Sequence, residues 1–422
     1  MKKITAFTAA ATLSATLVSP LIASATPMLP AVPITVPAEP AEPAEPEESA
    51  ESADPDWRDE APRTDDCPNA LVPPQARTTS EVPTDGVTPT VLPQHYDGPC
   101  GLIAPEGFVV DESVHASAWL VADIDTGDVI AMKDPHGRYR PASIIKVLLA
   151  LEAIEGLPLD KKVTVSEETA SQIGSSVGLG AGGVYTVEQL LHGLLMGSGN
   201  DAAHALAQEL GGDKATLKVI NELASKLGTT DTRASSYSGL DAAGMQTSAW
   251  DMGVIYQHAY SDPTFARIVG TEFIDFPGYG DVEGYELWND NGLFMNDPDG
   301  IGGKTGFTDD ANHTFVGAME RDGRRLMAVI LDTTVEQGRA WEQAQSLLHE
   351  AYHWPAKDAV ANLAVSLNDE APATETITPT PKASAAPDYD SSTGVSVAIA
   401  AMVLLATIIV GFVALAFGRK QR

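Results

Sequence analysis

Positive charge is scarce in this sequence. Its 422 residues include 26 lysines and arginines against 58 aspartates and glutamates, which gives a formal net charge of −32. Nucleic-acid binding depends on a basic surface that neutralises phosphates, so this composition excludes a nucleic-acid partner. Blocks of like charge are usually solvated tails, and we interpret the acidic front of the chain in that way.

Charge is also missing from two stretches near the chain ends. Residues 4–22 are apolar and threonine-rich, follow two lysines and are followed by the small residues Ala23-Ser24-Ala25. This pattern predicts a secretory signal peptide over residues 1–25. Residues 395–417 carry no charge and precede three basic residues, which predicts a helix that crosses about 30 Å of hydrocarbon. We therefore expect a single-pass cell-membrane protein whose main domain lies outside the cell.

Cysteine is nearly absent, with only Cys67 and Cys100 present. In a secreted chain these two residues could form a disulfide that closes a loop of about 34 residues and contributes about 3–4 kcal/mol. Two unpaired thiols are the alternative.

Large apolar residues are sparse on both sides of one compact region. We predict a disordered acidic spacer rich in proline, alanine and glutamate over residues 26–66 and a disulfide-stapled extension over residues 67–100. The catalytic domain is predicted over residues 101–355. A stalk rich in proline, alanine and threonine follows over residues 356–390, and residues 391–422 hold the membrane helix and a basic tail.

The predicted domain begins and ends with strand patterns. Hairpins are predicted over residues 118–132 and 314–332, each with a turn that contains Asp and Gly. Helical periodicity lies between them and after them, in residues 186–196, 201–210, 214–227, 248–260 and 335–354. Strands at both ends with helices between them predict an α+β domain, in which an antiparallel sheet is covered by a helical region.

A serine stands at the start of an apolar helical run with a lysine three residues later. Ser143 and Lys146 share one helix face, within a turn of each other. A serine hydroxyl needs a neighbour to take its proton, and a lysine can do so if its pKa is depressed. A Ser-x-x-Lys pair alone is a weak signal, because a serine in this position is usually a plain N-cap.

Two further motifs change the interpretation of that pair. Ser198-Gly199-Asn200 lies between two predicted helices, and Lys304-Thr305-Gly306 precedes the second predicted hairpin. Together with Ser143 and Lys146, they resemble the three motifs of the penicillin-recognising serine hydrolases. The flanking residues, including Asp201-Ala202-Ala203, resemble the low-molecular-mass penicillin-binding proteins that are serine-type D-alanyl-D-alanine carboxypeptidases of the peptidase S11 kind. This resemblance implies a β-lactamase/transpeptidase-like fold and a peptidoglycan stem-peptide substrate, with β-lactam antibiotics as inhibitors and no cofactor.

The resemblance also implies a role for each motif residue. Ser143 would attack the penultimate D-alanine carbonyl and Lys146 would accept its proton, while Lys304 would depress the pKa of Lys146 and bind the substrate carboxylate. Ser198 would relay a proton to the leaving amine, and Asn200 would hydrogen-bond the Lys146 amine. Backbone N–H groups of Ser143 and Phe307 would form the oxyanion hole. The residues assigned to substrate binding are Thr305, Gly306, Phe307 and Thr308.

Other functions remain as alternatives. His349 and His353 satisfy the His-Glu-x-x-His pattern of zinc proteases, but no third ligand is evident downstream, so we predict no metal site. A β-lactamase would need a Glu-x-x-Leu-Asn element, and none occurs between Asn200 and Lys304. A penicillin-binding wall or sensor protein without turnover is disfavoured because Lys146 and Lys304 are both present. We therefore expect a carboxypeptidase that trims stem pentapeptides, and we expect it to lack the second β domain common in this group.

Overall fold

The structure is a computed structural model that describes residues 58–83 and 86–364. The predicted signal peptide, the stalk beyond residue 364 and the predicted membrane helix lie outside the described residues. Within these ranges, no helix combines the length and the apolar character needed to span a membrane.

The described chain alternates strands and helices. The strands are β1 Leu102–Ile103, β2 Ala118–Asp123, β3 Asp128–Lys133, β4 Lys162–Thr164, β5 Val184–Thr186, β6 Phe273–Phe276, β7 Tyr285–Trp288, β8 Gly300–Thr308, β9 Asn312–Arg321, β10 Arg324–Thr333 and β11 Ala361–Asn362. The α-helices are α1 Lys146–Gly156, α2 Glu167–Ala170, α3 Val187–Met196, α4 Asn200–Glu209, α5 Asp213–Lys226, α6 Ala249–Ser261, α7 Pro263–Val269, α8 Gly292–Asn296 and α9 Ala340–Ala351. The 3₁₀ helices are Ala142–Ile145 and Ala356–Asp358.

The main sheet has the strand order β1-β3-β2-β10-β9-β8, and β11 also pairs with β3. Every pairing in it is antiparallel. Strand β2 is buried along its whole length, and its first five residues are all apolar rather than alternating with polar ones. The predicted α+β class with an antiparallel sheet is confirmed.

Both faces of the sheet are covered by hydrophobic side chains. One face of β2, with Leu120, packs in the larger core with α1, α3, α4 and α6. The opposite face, with Trp119, packs in a smaller core with Leu347 and Leu348 of α9. The sheet is therefore the middle layer, with the helical region on one side and the last long helix on the other.

The predicted hairpins and central helices are present with boundary shifts of one or two residues at most ends. The last helix is shorter than predicted, because α9 begins at Ala340 rather than at residue 335. Strand β8 was not predicted. Glycine is depleted in strands because it adds no packing side chain, and β8 contains Gly300, Gly302, Gly303 and Gly306, so the sequence does not carry a strand signal there.

Two predicted domain boundaries differ from the structure. Arg58, within the predicted spacer, donates to the Asp332 carboxylate at 2.8 Å, and Thr64 is buried and donates to the Cys100 carbonyl. Beyond residue 355, β11 pairs with β3 and Leu363 is buried in the larger core. The sequence missed these edges because a few contacts anchor segments whose overall composition is polar.

The extension between the two cysteines is packed on the domain, and Cys67 and Cys100 form a disulfide. Arg138 holds the extension through its backbone. This fully buried guanidinium donates to the carbonyls of Leu71 and Leu92, both at 2.8 Å, and to that of Pro93 at 2.6 Å. Irregular backbone carbonyls that would otherwise need water thereby find a buried donor.

Replacing both cysteines by serine is expected to lower the melting temperature by roughly 10 °C, since the lost loop constraint is worth about 3–4 kcal/mol. Thermal unfolding followed by circular dichroism measures this shift. The wild-type protein in reductant should melt at the temperature of the double variant, and reductant should not change the melting temperature of the variant. An unchanged wild-type melting temperature in reductant would contradict the prediction.

Candidate active site

The candidate nucleophile lies in a short 3₁₀ helix that leads directly into α1. Ser143 is partly exposed, whereas the residues on either side of it are buried. Two hydrogen bonds fix this segment, from Thr314 Oγ1 to the Pro141 carbonyl at 2.7 Å and from Tyr256 to the Ile144 carbonyl at 2.9 Å. The serine is thus held at the surface end of a helix that is anchored in the core.

Lys146 is fully buried, and its amine has three neighbours. Its Nζ lies 2.8 Å from Ser143 Oγ, 2.8 Å from Asn200 Oδ1 and 2.5 Å from the Ser238 carbonyl oxygen. The last two can only accept hydrogen bonds. A neutral amine has two N–H groups and one lone pair, so donation to these two oxygens leaves the lone pair for the Ser143 hydroxyl proton.

The environment favours this neutral form. Burial lowers the pKa of Lys146 well below its usual value, and the positive charge of Lys304 lowers it further. Asp290 and Asp201 act in the opposite direction. An amine in this state can serve as a general base toward a serine near neutral pH.

Asn200 is the first residue of α4 and is oriented by the loop that follows α2. Its Nδ2 donates to the Ile173 carbonyl at 2.7 Å, which leaves Oδ1 directed at Lys146. Ser198 is nearly buried and has a left-handed backbone, with a φ of 57°. Its hydroxyl makes no hydrogen bond to another residue within 58–83 and 86–364, so the structure does not pair it with Lys146.

Lys304 lies on β8, at the edge of the main sheet. Its buried amine donates to the Thr305 carbonyl at 2.8 Å and lies 4.0 Å from Asp290 Oδ2. Burial lowers the pKa of Lys304, while Asp290 raises it. Asp290 also accepts a 2.9 Å hydrogen bond from Thr305 Oγ1. Asp290 is therefore the carboxylate that the structure pairs with Lys304.

Gly306 brings β8 against the nucleophile. A Cβ at this position would lie 2.9 Å from the Ser143 nitrogen and would overlap Thr314 Oγ1. Only glycine allows this approach, and it places the backbone on either side of Gly306 next to the Ser143 N–H. Phe307 follows with its ring half exposed and packed on His313, at a centroid separation of 4.5 Å.

The residue that the sequence analysis missed is Ser238, in the active-site loop of residues 235–244. Its carbonyl reaches Lys146 because Gly239, with a φ of 85°, lies directly against the Ala142 and Ser143 backbone. A side chain there would overlap the Ala142 carbonyl. A backbone carbonyl carries no residue-type signal, so only the sequence Ser238-Gly239 in a turn could have suggested this contact.

Thr308 does not point freely toward a substrate. Its Oγ1 donates to Asp241 Oδ1 at 2.8 Å and accepts from the Ala311 N–H at 3.0 Å. Burial raises the pKa of the Asp241 carboxyl group. Both candidate carboxylate-binding hydroxyls, on Thr305 and Thr308, thus donate to aspartates in this structure.

Replacing Lys304 by glutamine is expected to move the acidic limb of the activity profile to higher pH. The charge of Lys304 lowers the pKa of Lys146, so its removal raises that pKa, and a higher pH is then needed to produce the neutral base. The pH dependence of kcat/KM measures the limb. Asp290→Asn is the matched variant and should shift it to lower pH, because Asp290 raises the pKa of Lys146. A limb that stays in place in both variants would refute this electrostatic coupling.

The two histidines of the zinc-like motif lie on and just after α9, away from these residues. His349 Nε2 is 2.9 Å from the Asp297 carboxylate, and His353 is exposed, 3.5 Å from Glu350. Among the residues that the structure describes, no group of three or more histidines, cysteines or carboxylates is arranged to hold a metal ion.

Comparisons with known proteins agree with this geometry. The family model described as peptidase S11, D-alanyl-D-alanine carboxypeptidase, matches residues 106–335. The D-alanyl-D-alanine carboxypeptidase DacB2 of Mycobacterium tuberculosis is 39% identical over 265 residues, which cover 62% of this chain and 90% of that protein. DacF of Bacillus subtilis is 29% identical, and the match spans 57% of this chain and 64% of DacF.

Solved structures show the same fold. The crystal structure of a D-alanyl-D-alanine carboxypeptidase from M. tuberculosis H37Rv superposes with a TM-score of 0.59 and 38% identity, over 62% of this chain and 99% of that one. The Streptomyces K15 DD-transpeptidase gives a TM-score of 0.55 and 25% identity, over 58% and 100%. With a serine, a buried lysine and a second lysine gathered at one sheet edge, the chain is a serine hydrolase and belongs to the peptidase S11 family of D-alanyl-D-alanine carboxypeptidases.

Proposed function

We propose that this protein removes the terminal D-alanine from peptidoglycan stem pentapeptides through an acyl-enzyme on Ser143. The observation that carries the proposal is the 2.8 Å contact between Lys146 Nζ and Ser143 Oγ, with carbonyl oxygens as the amine's other two partners. Burial lowers the pKa of this amine and so favours the neutral form, which can take the serine proton as Oγ bonds to the substrate carbonyl carbon.

The remaining steps use the groups around that pair. The Ser143 N–H and the N–H of Phe307 are the proposed oxyanion donors, supported by the close approach of β8 at Gly306. When the C–N bond breaks, the departing D-alanine amine takes a proton, which Ser198 is proposed to relay. Water then hydrolyses the serine ester and restores the Ser143 hydroxyl.

Substrate binding is proposed at the free edge of β8. Among the strands that the structure describes, β8 pairs with β9 alone, so its other edge offers backbone groups to an extended peptide. Lys304 supplies the cation for the terminal carboxylate, and Thr305 is adjacent to it. Thr308 can bind that carboxylate only after its hydroxyl leaves Asp241. Penicillins, as mimics of the same peptide end, are proposed to acylate Ser143.

The location of the enzyme is part of the proposal. An uncharged run over residues 395–417, followed by three basic residues, supports a membrane anchor with the catalytic domain outside the cell. A substrate in the cell wall fits that placement. Protease protection in intact cells, before and after cell lysis, tests it, and an external protease that spares the domain would contradict it.

Mass spectrometry of the purified protein tests the activity. Incubation with a muramyl pentapeptide should release one D-alanine, and penicillin should leave a penicilloyl adduct on the peptide that contains Ser143. Rapid penicillin hydrolysis without a stable adduct would instead indicate a β-lactamase. Loss of activity in a chelator would indicate the histidine motif, and an adduct without peptide turnover would indicate a penicillin-binding sensor.

A further inference from the structure

A short segment of the extension touches two of the elements that build the site. The segment, residues 77–81, reaches the active-site loop through Glu81 and the β8–β9 turn, residues 308–312, through Asp310. The active-site loop supplies the Ser238 carbonyl to Lys146, and β8 carries Lys304. The extension therefore contacts the catalytic region from outside, although none of its described residues is hydrogen-bonded to Ser143 or Lys146.

The carboxylate of Glu81 links Arg140, which lies just before Ser143 in the chain, to the active-site loop. Its Oε1 accepts from Arg140 at 2.6 Å, and its Oε2 accepts from the Gly244 N–H at 3.1 Å. The Arg140 side chain is 2% exposed and precedes Ser143 by three residues. Within residues 58–83 and 86–364, Glu81 is the only carboxylate paired with this guanidinium. Arg140 also donates to two backbone carbonyls, that of Pro74 at 2.8 Å and that of Asp310 at 3.4 Å. Glu81 supplies the negative charge for this buried guanidinium and holds it in place together with these carbonyls.

Asp310 joins the same segment to the β8–β9 turn. Its carboxylate accepts from the backbone N–H groups of Arg77 and Thr78, at 2.7 and 2.8 Å, from Thr78 Oγ1 at 2.6 Å and from the Ser80 hydroxyl. These bonds account for the lowered pKa of Asp310, since they oppose the effect of its burial.

The β8–β9 turn and the active-site loop are also hydrogen-bonded to each other. The Asp310 N–H donates to Asp241 Oδ2 at 3.3 Å, and Thr308 donates to Asp241 Oδ1 at 2.8 Å. Three segments thus form a closed set of contacts: residues 77–81, the active-site loop and the β8–β9 turn. The active-site loop and the strand that leads into the turn both place backbone groups next to Ser143.

We propose that residues 77–81 position the active site, with Glu81 and Asp310 as positioning residues for acylation. Glu81 sets the relation between Ser143, Lys146 and the Ser238 carbonyl, so its loss slows the chemical step. Asp310 sets the end of β8 that borders the substrate, so its loss weakens binding before the chemical step. The proposal rests on the acylation of Ser143 stated above.

Stopped-flow acylation of the full-length protein by benzylpenicillin separates these two effects. The binding constant and the first-order acylation rate are measured for wild type, Glu81→Gln, Glu81→Ala and Asp310→Asn. We expect Glu81→Ala to slow acylation about 10- to 100-fold with little change in binding, because small displacements of reacting groups have effects of this size. Glu81→Gln keeps an acceptor oxygen and should slow acylation less than Glu81→Ala does. Asp310→Asn should weaken binding several-fold and leave the acylation rate near that of wild type.

Glu222→Gln is the matched control, because Glu222 forms an exposed ion pair with Lys218 on α5 and makes no contact with the site. Melting temperatures are measured for every variant, and Thr78→Val with Ser80→Ala replaces Asp310→Asn if that variant does not fold. An acylation rate within twofold of wild type in Glu81→Ala, or an unchanged binding constant in Asp310→Asn, would overturn the proposal. A parallel loss of binding, rate and melting temperature would also overturn it, because it would indicate a structural role only. Failure of the wild-type protein to be acylated would instead refute the proposed function.

Discussion

Replacing Ser143 by alanine is expected to lower D-alanine release by roughly 10⁴- to 10⁶-fold and to abolish the penicilloyl adduct, because no other group can form the acyl-enzyme. The side chain is only partly buried, and its hydroxyl makes one long contact of 3.4 Å besides that with Lys146. The fold should therefore be intact. Residual D-alanine release, measured over hours by liquid chromatography, gives the loss of activity. The melting temperature shows whether the fold is intact.

Ser171→Ala provides a matched control for the Ser143 variant. Ser171 is exposed after α2, and its hydroxyl donates to the Glu168 carbonyl at 3.1 Å. Its removal should leave turnover within twofold of wild type. If Ser143→Ala kept more than about a hundredth of the activity, a covalent mechanism on this serine would be wrong.

Replacing Lys146 by arginine is expected to slow acylation by roughly 10²- to 10⁴-fold. Arginine stays protonated at any accessible pH, so it can donate to Asn200 and Ser238 but cannot accept the Ser143 proton. The acidic limb of the pH profile should disappear along with the base that produces it. The acylation rate with penicillin, followed from pH 5 to 10, measures both changes.

A second variant separates the loss of the base from the effect of a larger side chain. Lys146→Met has a similar length and no charge, but it leaves the Asn200 and Ser238 oxygens without their donor. Both variants should lose activity, whereas Lys218→Arg on the exposed face of α5 should not. An arginine variant that acylated at a tenth of the wild-type rate or faster would show that another group takes the proton.

The prediction from sequence worked where chemistry depends on residue type and local spacing. Ser143 and Lys146 are three residues apart on one helical turn, so their proximity was fixed locally, and the structure finds the two atoms 2.8 Å apart. The hairpins and amphipathic helices were also predictable, because their periodicity is written over ten or more residues. The roles assigned to Ser198 and Phe307 remain predictions.

The sequence did not predict features that depend on glycine residues or on backbone groups. Strand β8 carries four glycines and is held by its pairing with β9, which no local pattern reveals. The Ser238 carbonyl reaches Lys146 only because the loop folds over the nucleophile at Gly239. Both the pairing of β8 with β9 and the contribution of Ser238 come from backbone groups, which no residue type in the sequence reveals.

The antiparallel α+β domain, the serine and lysine motifs and the family could all be derived from the sequence alone. These features follow from residue type, order and short-range geometry. The tertiary structure alone decided the electrostatics of the site and the use of the extension. The pKa of Lys146 falls because distant segments exclude water and bring Lys304 close, and Glu81 contacts Gly244 across 163 residues of sequence. Such effects depend on distances between segments, which chain order does not specify.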